Sequence, residues 1–344
     1  WAFHASLKTA DISPLVVLAG ISGTGKSQLP RLYAEAMGMH FLNVAVQPRR
    51  DSPQDLFGFY NYMEHTYKAT ELARALRQMD EANWPDEQQD GMIQKGMLLV
   101  LLDEMNLARV EYYFSELLSK LEMRNAVGDD LHRRKLAEIE IEVGPLNENA
   151  AVRRLYVGSN VLFVGTMNED ETTQALSDKV LDRSNVLRFG KPATLKPEKP
   201  SRHNPSNSFL LFNDWKSWIK DELSQQEKSK FEKICINLNT ELSKIHRPFG
   251  HRVYQAMYRY IANYPQWGST NWFNYAMADQ LEQKIIPRLR GLSRDTDERM
   301  SEVLVEISRT IDQLEDKELQ EAFSEASEHP VFHWTGVNRE STSK

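Results

Sequence analysis

Residues 15–27, LVVLAGISGTGKS, decide the fold, because an apolar run leads directly into the pattern GxxxxGK(S/T). Short runs that are apolar throughout are typical of strands covered by helices on both faces of a parallel sheet. In the glycine-rich part, small residues let backbone N–H groups curl around a phosphate at the start of the following helix, where the dipole favours anions. Lys26 is expected to reach the β- and γ-phosphates of a nucleotide, and Ser27 to bind Mg²⁺. The predicted phosphate-binding residues are Gly20, Ser22, Gly23, Thr24, Gly25, Lys26 and Ser27.

Outward from this stretch, apolar runs alternate with helix-like segments, which predicts an α/β fold with a mainly parallel sheet. Residues 136–157 alternate apolar and charged side chains around GPLNEN, which predicts an inserted β-hairpin. The other predicted strands are residues 41–46, 97–102, 161–166 and 186–189, and the predicted helices between them are residues 70–83 and 110–123.

The second half has a different pattern. Residues 191–208 are rich in Pro, Lys and Ser without periodicity, which predicts a linker. Apolar side chains then recur at helical spacing, which predicts an all-α lid domain. The expected organisation is a nucleotide-binding domain over residues 1–190, the linker, the lid over 209–330 and a polar tail over 331–344, of which residues 335–344 are expected to fray. The expected lid helices are residues 209–223, 227–245, 252–263, 272–289 and 297–314.

Composition narrows the class of protein. With 344 residues, 41% of them hydrophobic and 26% charged, the chain is typical of a globular protein with two domains and not of a disordered or coiled-coil chain. No apolar run approaches the ~20 residues that cross a bilayer, so no membrane span is expected. The single Cys235 favours a reducing, cytoplasmic compartment. Because the chain opens at Trp1, we expect a fragment of a longer protein.

Polar residues follow two of the apolar runs. Asp103 and Glu104 end the run at 97–102, at the strand edge where ligands of open α/β sheets bind. We expect Asp103 to hold Mg²⁺ and Glu104 to polarise the attacking water. Asn168 follows the run at 161–166 and is expected to orient that water. A solvated strand edge and a capping asparagine are the alternative interpretations.

Two arginines are candidates for contacts with the γ-phosphate. Arg183 follows a helical turn and is expected to face the nucleotide of a neighbouring subunit, where it would stabilise transition-state charge as arginine fingers do. A surface salt bridge to Asp178 or Asp182 is its alternative, and Arg188 is a second candidate. Arg252 opens a lid helix and is expected to face the domain cleft as a nucleotide sensor, with a packing role as the alternative.

At these motifs the chain resembles the AAA+ superfamily and, within it, the MoxR/dynein-related branch that contains McrB. The most specific segments are VAVQPRRDSPQDLFGFY (44–60), LLDEMNLARVEYYFSELLSKLE (101–122) and GTMNEDETTQALSDKVLDRSNVLRF (165–189). The resemblance implies a Walker A loop at 20–27, Walker B acids at Asp103 and Glu104, sensor 1 at Asn168, a trans-acting arginine at Arg183 and sensor 2 at Arg252.

The resemblance also implies a homo-oligomeric ring, with a hexamer expected, that uses Mg²⁺ and ATP or GTP to drive a McrC-like nuclease or another effector in restriction or phage defence. The McrB signature MNxxD ends here in Glu171, so the base preference stays open. A MoxR-like chaperone ATPase that remodels a protein partner, and a nucleotide-gated scaffold without turnover, are the competing functions.

DNA is expected to be reached through the complex. The net charge of −7 predicts that this chain alone binds DNA weakly, in a salt-sensitive way. The basic residues that could contribute are Arg49, Arg50, Arg133 and Arg134.

Overall fold

The structure is a computed structural model and describes residues 1–85, 94–127, 133–144, 152–169, 176–190, 205–266, 269–293 and 299–337. Within those ranges no helix combines the length and apolar character needed to cross a membrane.

A five-stranded parallel sheet forms the centre of the first half, and each apolar run predicted as a strand lies in it. The strands in chain order are β1 (Leu15–Gly20), β2 (His40–Ala45), β3 (Gly58–Asn61), β4 (Thr66–Ala69), β5 (Leu98–Asp103), β6 (Glu138–Glu142), β7 (Val152–Tyr156), β8 (Val161–Asn168) and β9 (Ser184–Phe189). The sheet order is β2-β5-β8-β1-β9. Because the pairs are parallel, the carboxyl ends of all five strands lie at one edge.

Helices cover both faces of this sheet. Alternate residues of β1 enter two different cores, with Val16 and Leu18 on one face and Val17 and Ala19 on the other. The helices of this half are α1 (Ala2–Lys8), α2 (Gln28–Met37), α3 (Gln54–Phe57), α4 (Glu71–Gln78), α5 (Val110–Tyr113), α6 (Ser115–Val127) and α7 (Asp178–Leu181). The predicted helix at 110–123 is therefore divided at Phe114, and α1 had no counterpart in the sequence prediction.

Two hairpins project from the α/β half. Strands β6 and β7 pair antiparallel, Glu138 opposite Tyr156, which confirms the predicted hairpin, although residues 145–151 of its turn lie outside the described residues. A second hairpin, β3–β4, was not predicted. It depends on Gly58, whose φ of 119° is in the region that favours glycine and whose Cβ would collide with the carbonyl of Lys68.

The second half is helical and has a core of its own. Its helices are α8 (Phe212–Ser217), α9 (Gln225–Lys244), α10 (His251–Ala262), α11 (Trp272–Gln280), α12 (Met300–Asp312) and α13 (Lys317–Glu328). The segment predicted as one helix at 272–289 changes after Gln280 into a π-helical turn, Leu281–Ile285, and then a 3₁₀ turn, Ile286–Leu289. Cys235 is buried in α9, and burial raises its pKa to about 12.

The polar tail expected over residues 331–344 begins with a buried segment, and the prediction of fraying is wrong for residues 335–337. Phe332, Trp334 and Val337 are buried in the helical core, and Phe332 N–H donates to the carbonyl of Leu292 at 2.9 Å. The three apolar side chains stabilise this segment by leaving water. Residues 338–344 lie outside the described residues.

Most of the predicted linker, residues 191–204, also lies outside the described residues. The chain that follows it is bonded to the end of α2. Ser206 N–H donates to the carbonyl of Glu35 at 2.9 Å, and Leu210 N–H donates to that of Gly38 at 2.8 Å. The entry to the helical half is thus attached to the helix that follows the glycine-rich loop.

Candidate nucleotide-binding site

The glycine-rich loop, residues 21–27, joins the carboxyl end of β1 to the start of α2. Gly23 and Gly25 have φ angles of 80° and 83°, which other residues adopt only with strain. A Cβ at Gly20 would collide with the carbonyl of Phe189 on β9. Glycine is therefore needed for backbone conformation at two positions and for close strand packing at the third. The loop lies at a helix N-terminus, where anions are favoured.

Lys26 is folded against this loop. Its Nζ donates to the carbonyl oxygens of Gly20 at 3.1 Å and Ile21 at 2.6 Å. Burial lowers its pKa, while the nearby carboxylates of Glu169, Asp103 and Glu104 act in the opposite direction. One ammonium group thus lies among three carboxylates, and a divalent cation would offset their repulsion of a nucleotide's phosphates.

The two predicted metal ligands meet although they are far apart in sequence. Ser27 Oγ donates to Asp103 Oδ1 at 2.7 Å. Hydroxyl and carboxylate oxygens are the ligands that Mg²⁺ prefers, so these residues fit the ion. Ser27 and Asp103 would hold Mg²⁺, which neutralises phosphate charge when it is bound.

Thr166 fixes the orientation of both acids. Its Oγ1 donates to Asp103 Oδ1 at 2.7 Å and accepts from the backbone N–H of Glu104 at 2.8 Å. The sequence prediction missed this residue. Strand alternation could have found it, because Thr166 stands two residues before Asn168 and so shares its face of β8.

Glu104 and Asn168 lie together beside the loop. Asn168 is paired with Gly20 in the register of β8 and β1, and its Nδ2 donates to Glu104 Oε1 at 3.4 Å. Glu104 has φ 54° and ψ 47°, a left-handed conformation that costs energy in a residue with a side chain. The structure therefore brings the predicted base, the predicted water-orienting amide and the loop to one place. The backbone at Asn168 is also fixed, because buried Asn106 donates from Nδ2 to the carbonyl of Asn168 at 2.9 Å.

Arg183 and Arg252, the two arginines predicted to contact a γ-phosphate, do not lie beside the glycine-rich loop of their own chain. Arg183 precedes Ser184, which pairs with Leu15 at the amino end of β1, whereas the loop follows the carboxyl end. Five residues of strand, roughly 17 Å, separate the two ends. Arg183 Nε lies 2.8 Å from Glu122 Oε1, and Arg252 Nη1 lies 3.3 Å from the same oxygen.

Arg252 is thus held beside Arg183 by a shared carboxylate, and its role as a nucleotide sensor stays a prediction. Of the two acids named as alternative partners of Arg183, Asp182 has its Oδ1 2.9 Å from Arg288 Nη2, and the side chain of Asp178 lies outside the described residues.

Arg188 is the arginine that lies beside the loop of its own chain. It is paired with Ala19, and its Nε lies 3.3 Å from Glu169 Oε1. The backbone N–H of Glu169 donates to the carbonyl of Gly20 at 3.2 Å. This placement does not suit Arg188 for a neighbour's site.

Comparison with known proteins agrees with this geometry. A family model described as an AAA domain of the dynein-related subfamily matches residues 15–184. A second, a domain of unknown function named DUF8727, matches residues 199–329. The chain is similar to a solved structure from Cytophaga hutchinsonii ATCC 33406 with the provisional description of an ATPase, at 13% identity, a TM-score of 0.45 and coverage of 79% of this chain and 74% of that one. No curated protein sequence matches the chain. The family match takes in the loop, both acids and Asn168, so residues 15–184 are similar to an AAA domain of the dynein-related subfamily.

Proposed function

We propose that this chain is the motor subunit of a McrB-like system, in which a ring of identical subunits hydrolyses nucleotide at the subunit interfaces and drives a nuclease partner. The observation that carries the proposal is the position of Arg183 at the end of the sheet opposite to its own loop. An arginine there can serve a phosphate only in another subunit. Residues on both sides of an interface would then be needed for one hydrolysis site.

Within one subunit, the residues around the loop divide the chemistry. Lys26 binds the phosphates, and the Mg²⁺ that accompanies them is bound by Ser27 and Asp103. Glu104 takes the proton of the attacking water, and Asn168 orients that water from the adjacent strand. The intact acid and amide favour turnover over a scaffold that only binds nucleotide.

The transition state gains negative charge on the transferred phosphoryl group, and Arg183 of a neighbouring subunit stabilises that charge. Arginine fingers of this kind contribute about 10³ to 10⁵ in rate. Two inactive chains should therefore complement each other. In Glu104→Gln the base is lost, and turnover should fall by about 10² to 10⁴ while nucleotide still binds. In Arg183→Ala the base is intact and the arginine is missing.

Mixing these two variants tests the ring. The mixture should hydrolyse nucleotide faster than the sum of the separate chains, because Glu104→Gln subunits supply Arg183 to neighbours that retain Glu104. Sedimentation with a slowly hydrolysed analogue should show assembly, and a hexamer is the expected size. A mixture no faster than the sum of its parts, or full activity in a monomer, contradicts the interface site.

The nuclease partner is supported by the resemblance of residues 101–122 and 165–189 to McrB-like motors. Turnover should be measured with ATP and with GTP, with and without DNA and with a candidate McrC-like nuclease. Faster turnover and DNA cleavage only when nuclease and DNA are both present support the proposal. Stimulation by an unfolded or misassembled protein, with no effect of the nuclease, supports the MoxR-like chaperone function.

A further inference from the structure

Glu122, on α6, lies beside Arg183. Its Oε1 lies 2.8 Å from Arg183 Nε, and the two side chains are only 17% and 16% exposed. An ion pair so far removed from water is less screened than a pair on the surface, where the interaction contributes little. Arg252 reaches the same oxygen from the helical half at 3.3 Å. The carboxylate is therefore held between two cations.

The residues on either side of Arg183 are also attached to the helical half. Asp182 pairs with Arg288 at 2.9 Å. The carbonyl of Ser184 accepts a hydrogen bond from Nζ of Lys284, a fully buried side chain in the π-helical turn. Residues 182–184 are thus all connected to the helical half. Asp182 and Ser184 contact it directly, and Arg183 is connected to it through Glu122. The chain on either side of the arginine is therefore held, and its Nε lies beside Glu122.

From these contacts we propose that Glu122 is a positioning residue, which sets the direction in which Arg183 is presented to the neighbouring subunit. This inference rests on the proposed function, because it requires that Arg183 acts in trans. Glu122 itself touches no nucleotide. A positioning role differs from a packing role in one measurable way. It matters only in the subunit that donates the arginine.

The test uses the complementing mixture described above. In it, the Glu104→Gln chain donates Arg183 and the Arg183→Ala chain hydrolyses nucleotide. Glu122→Gln removes the charge and keeps the shape of the side chain. Placed in the donating chain, it should lower the rate of the mixture by about tenfold or more, because a misplacement of ~1 Å can cost 10²-fold. The KM for nucleotide should not change, since the hydrolysing site is intact.

Placed in the hydrolysing chain, the same substitution has no arginine to orient, so the rate should change by no more than about twofold. Glu122→Asp in the donating chain keeps the carboxylate and should restore part of the rate. Glu306→Gln in the donating chain is the matched control, because it breaks an ion pair with Arg309 on α12, away from this cluster.

The outcomes separate the two proposals. Equal losses in both chains, or no loss in the donating chain, overturn the role of Glu122 and leave the trans-acting arginine in place. Failure of the parent mixture to complement overturns the trans-acting arginine, and the role of Glu122 fails with it. Melting temperatures of each variant show whether a loss comes from unfolding, and in that case Glu122→Asp decides between the outcomes.

Discussion

At the scale of single residues, the surroundings of the Lys26 ammonium group bear on nucleotide binding. This ammonium group is bonded to two carbonyls of the loop and lies among three carboxylates. Lys26→Ala should abolish measurable nucleotide binding, because the cation that reaches the β- and γ-phosphates is lost. Isothermal titration measures this. Lys68→Ala, which removes a half-exposed lysine of the β3–β4 hairpin, is the control and should bind as the wild type does. Unchanged affinity in Lys26→Ala would show that the loop is only a turn.

Thr166→Val tests the hydroxyl that joins the two acids. Valine has nearly the same shape, so the expected effect comes from the lost hydrogen bonds to Asp103 and Glu104. Turnover should fall about 10- to 100-fold, with a higher requirement for Mg²⁺, as when the partners of metal ligands are removed. Steady-state hydrolysis against Mg²⁺ concentration measures both effects. Thr310→Val, at a buried threonine of α12 that bonds a helix carbonyl, should leave turnover unchanged.

The sequence was sufficient to predict that one site contains Lys26, Ser27, Asp103, Glu104 and Asn168. Each stands at or next to a strand end, and the carboxyl ends of parallel strands meet at one edge. Thr166 and Glu122 were missed for a different reason. Their contacts depend on how β8 is registered against β5 and how α6 packs against α7 and the helical half, and these are tertiary relations that no local pattern encodes. The contact between Arg252 and Glu122 depends on a relation of the same kind.

At the scale of elements, strands were easier to predict than helix boundaries. A fully buried strand is apolar throughout, as residues 98–102 are, so its pattern is unambiguous. Within the long helical segments, apolar spacing continues through changes of geometry. The apolar spacing at 272–289 gives no sign of the π-helical turn Leu281–Ile285, in which polar Lys284 is buried against β9. The turn is set by packing between the two halves.

Lys284 gives this turn a dependence on pH. Burial lowers its pKa from 10.5 to about 7, with Arg288 acting in the same direction and Asp182 opposing it. The unfolded chain holds the proton up to a pH of about 10.4, so between these values it binds more protons than the folded chain. Stability contributed by this residue therefore rises with pH over that window.

Lys284→Met keeps the volume of the side chain and removes the cost of burying a charge. The melting temperature of the variant minus that of the wild type should be largest at a pH of about 7 and below. This difference should decrease as the pH approaches about 10, because the wild type then gains stability. Thermal melts across this range measure the difference. Lys228→Met, at an exposed lysine of α9, should give a difference that does not change with pH. A pH-independent difference in Lys284→Met would mean that the lysine is not neutral when buried.

At the scale of the whole molecule, charge limits contact with DNA. The chain carries 42 basic and 49 acidic residues, a net charge of −7. Of the basic residues that could contribute to DNA binding, Arg134 is already neutralised, because it bonds Asp80 Oδ1 at 3.0 Å and Glu138 Oε1 at 3.1 Å. Binding by this chain alone should therefore be weak and salt-sensitive, and equal for methylated and unmethylated duplexes. Gel-shift titrations at two salt concentrations measure this, and a preference for methylated DNA would contradict it.

Helix α2 joins two distant parts of the molecule. It is ten residues long, about 15 Å at the usual rise, with the glycine-rich loop at its start and the attachment of Ser206 and Leu210 at its end. Its backbone hydrogen bonds fix the rise per residue, so a shift of the loop along the helix axis would also displace the carbonyls of Glu35 and Gly38. The segment that enters the helical half is bonded to those two carbonyls, so its position depends on that of the loop.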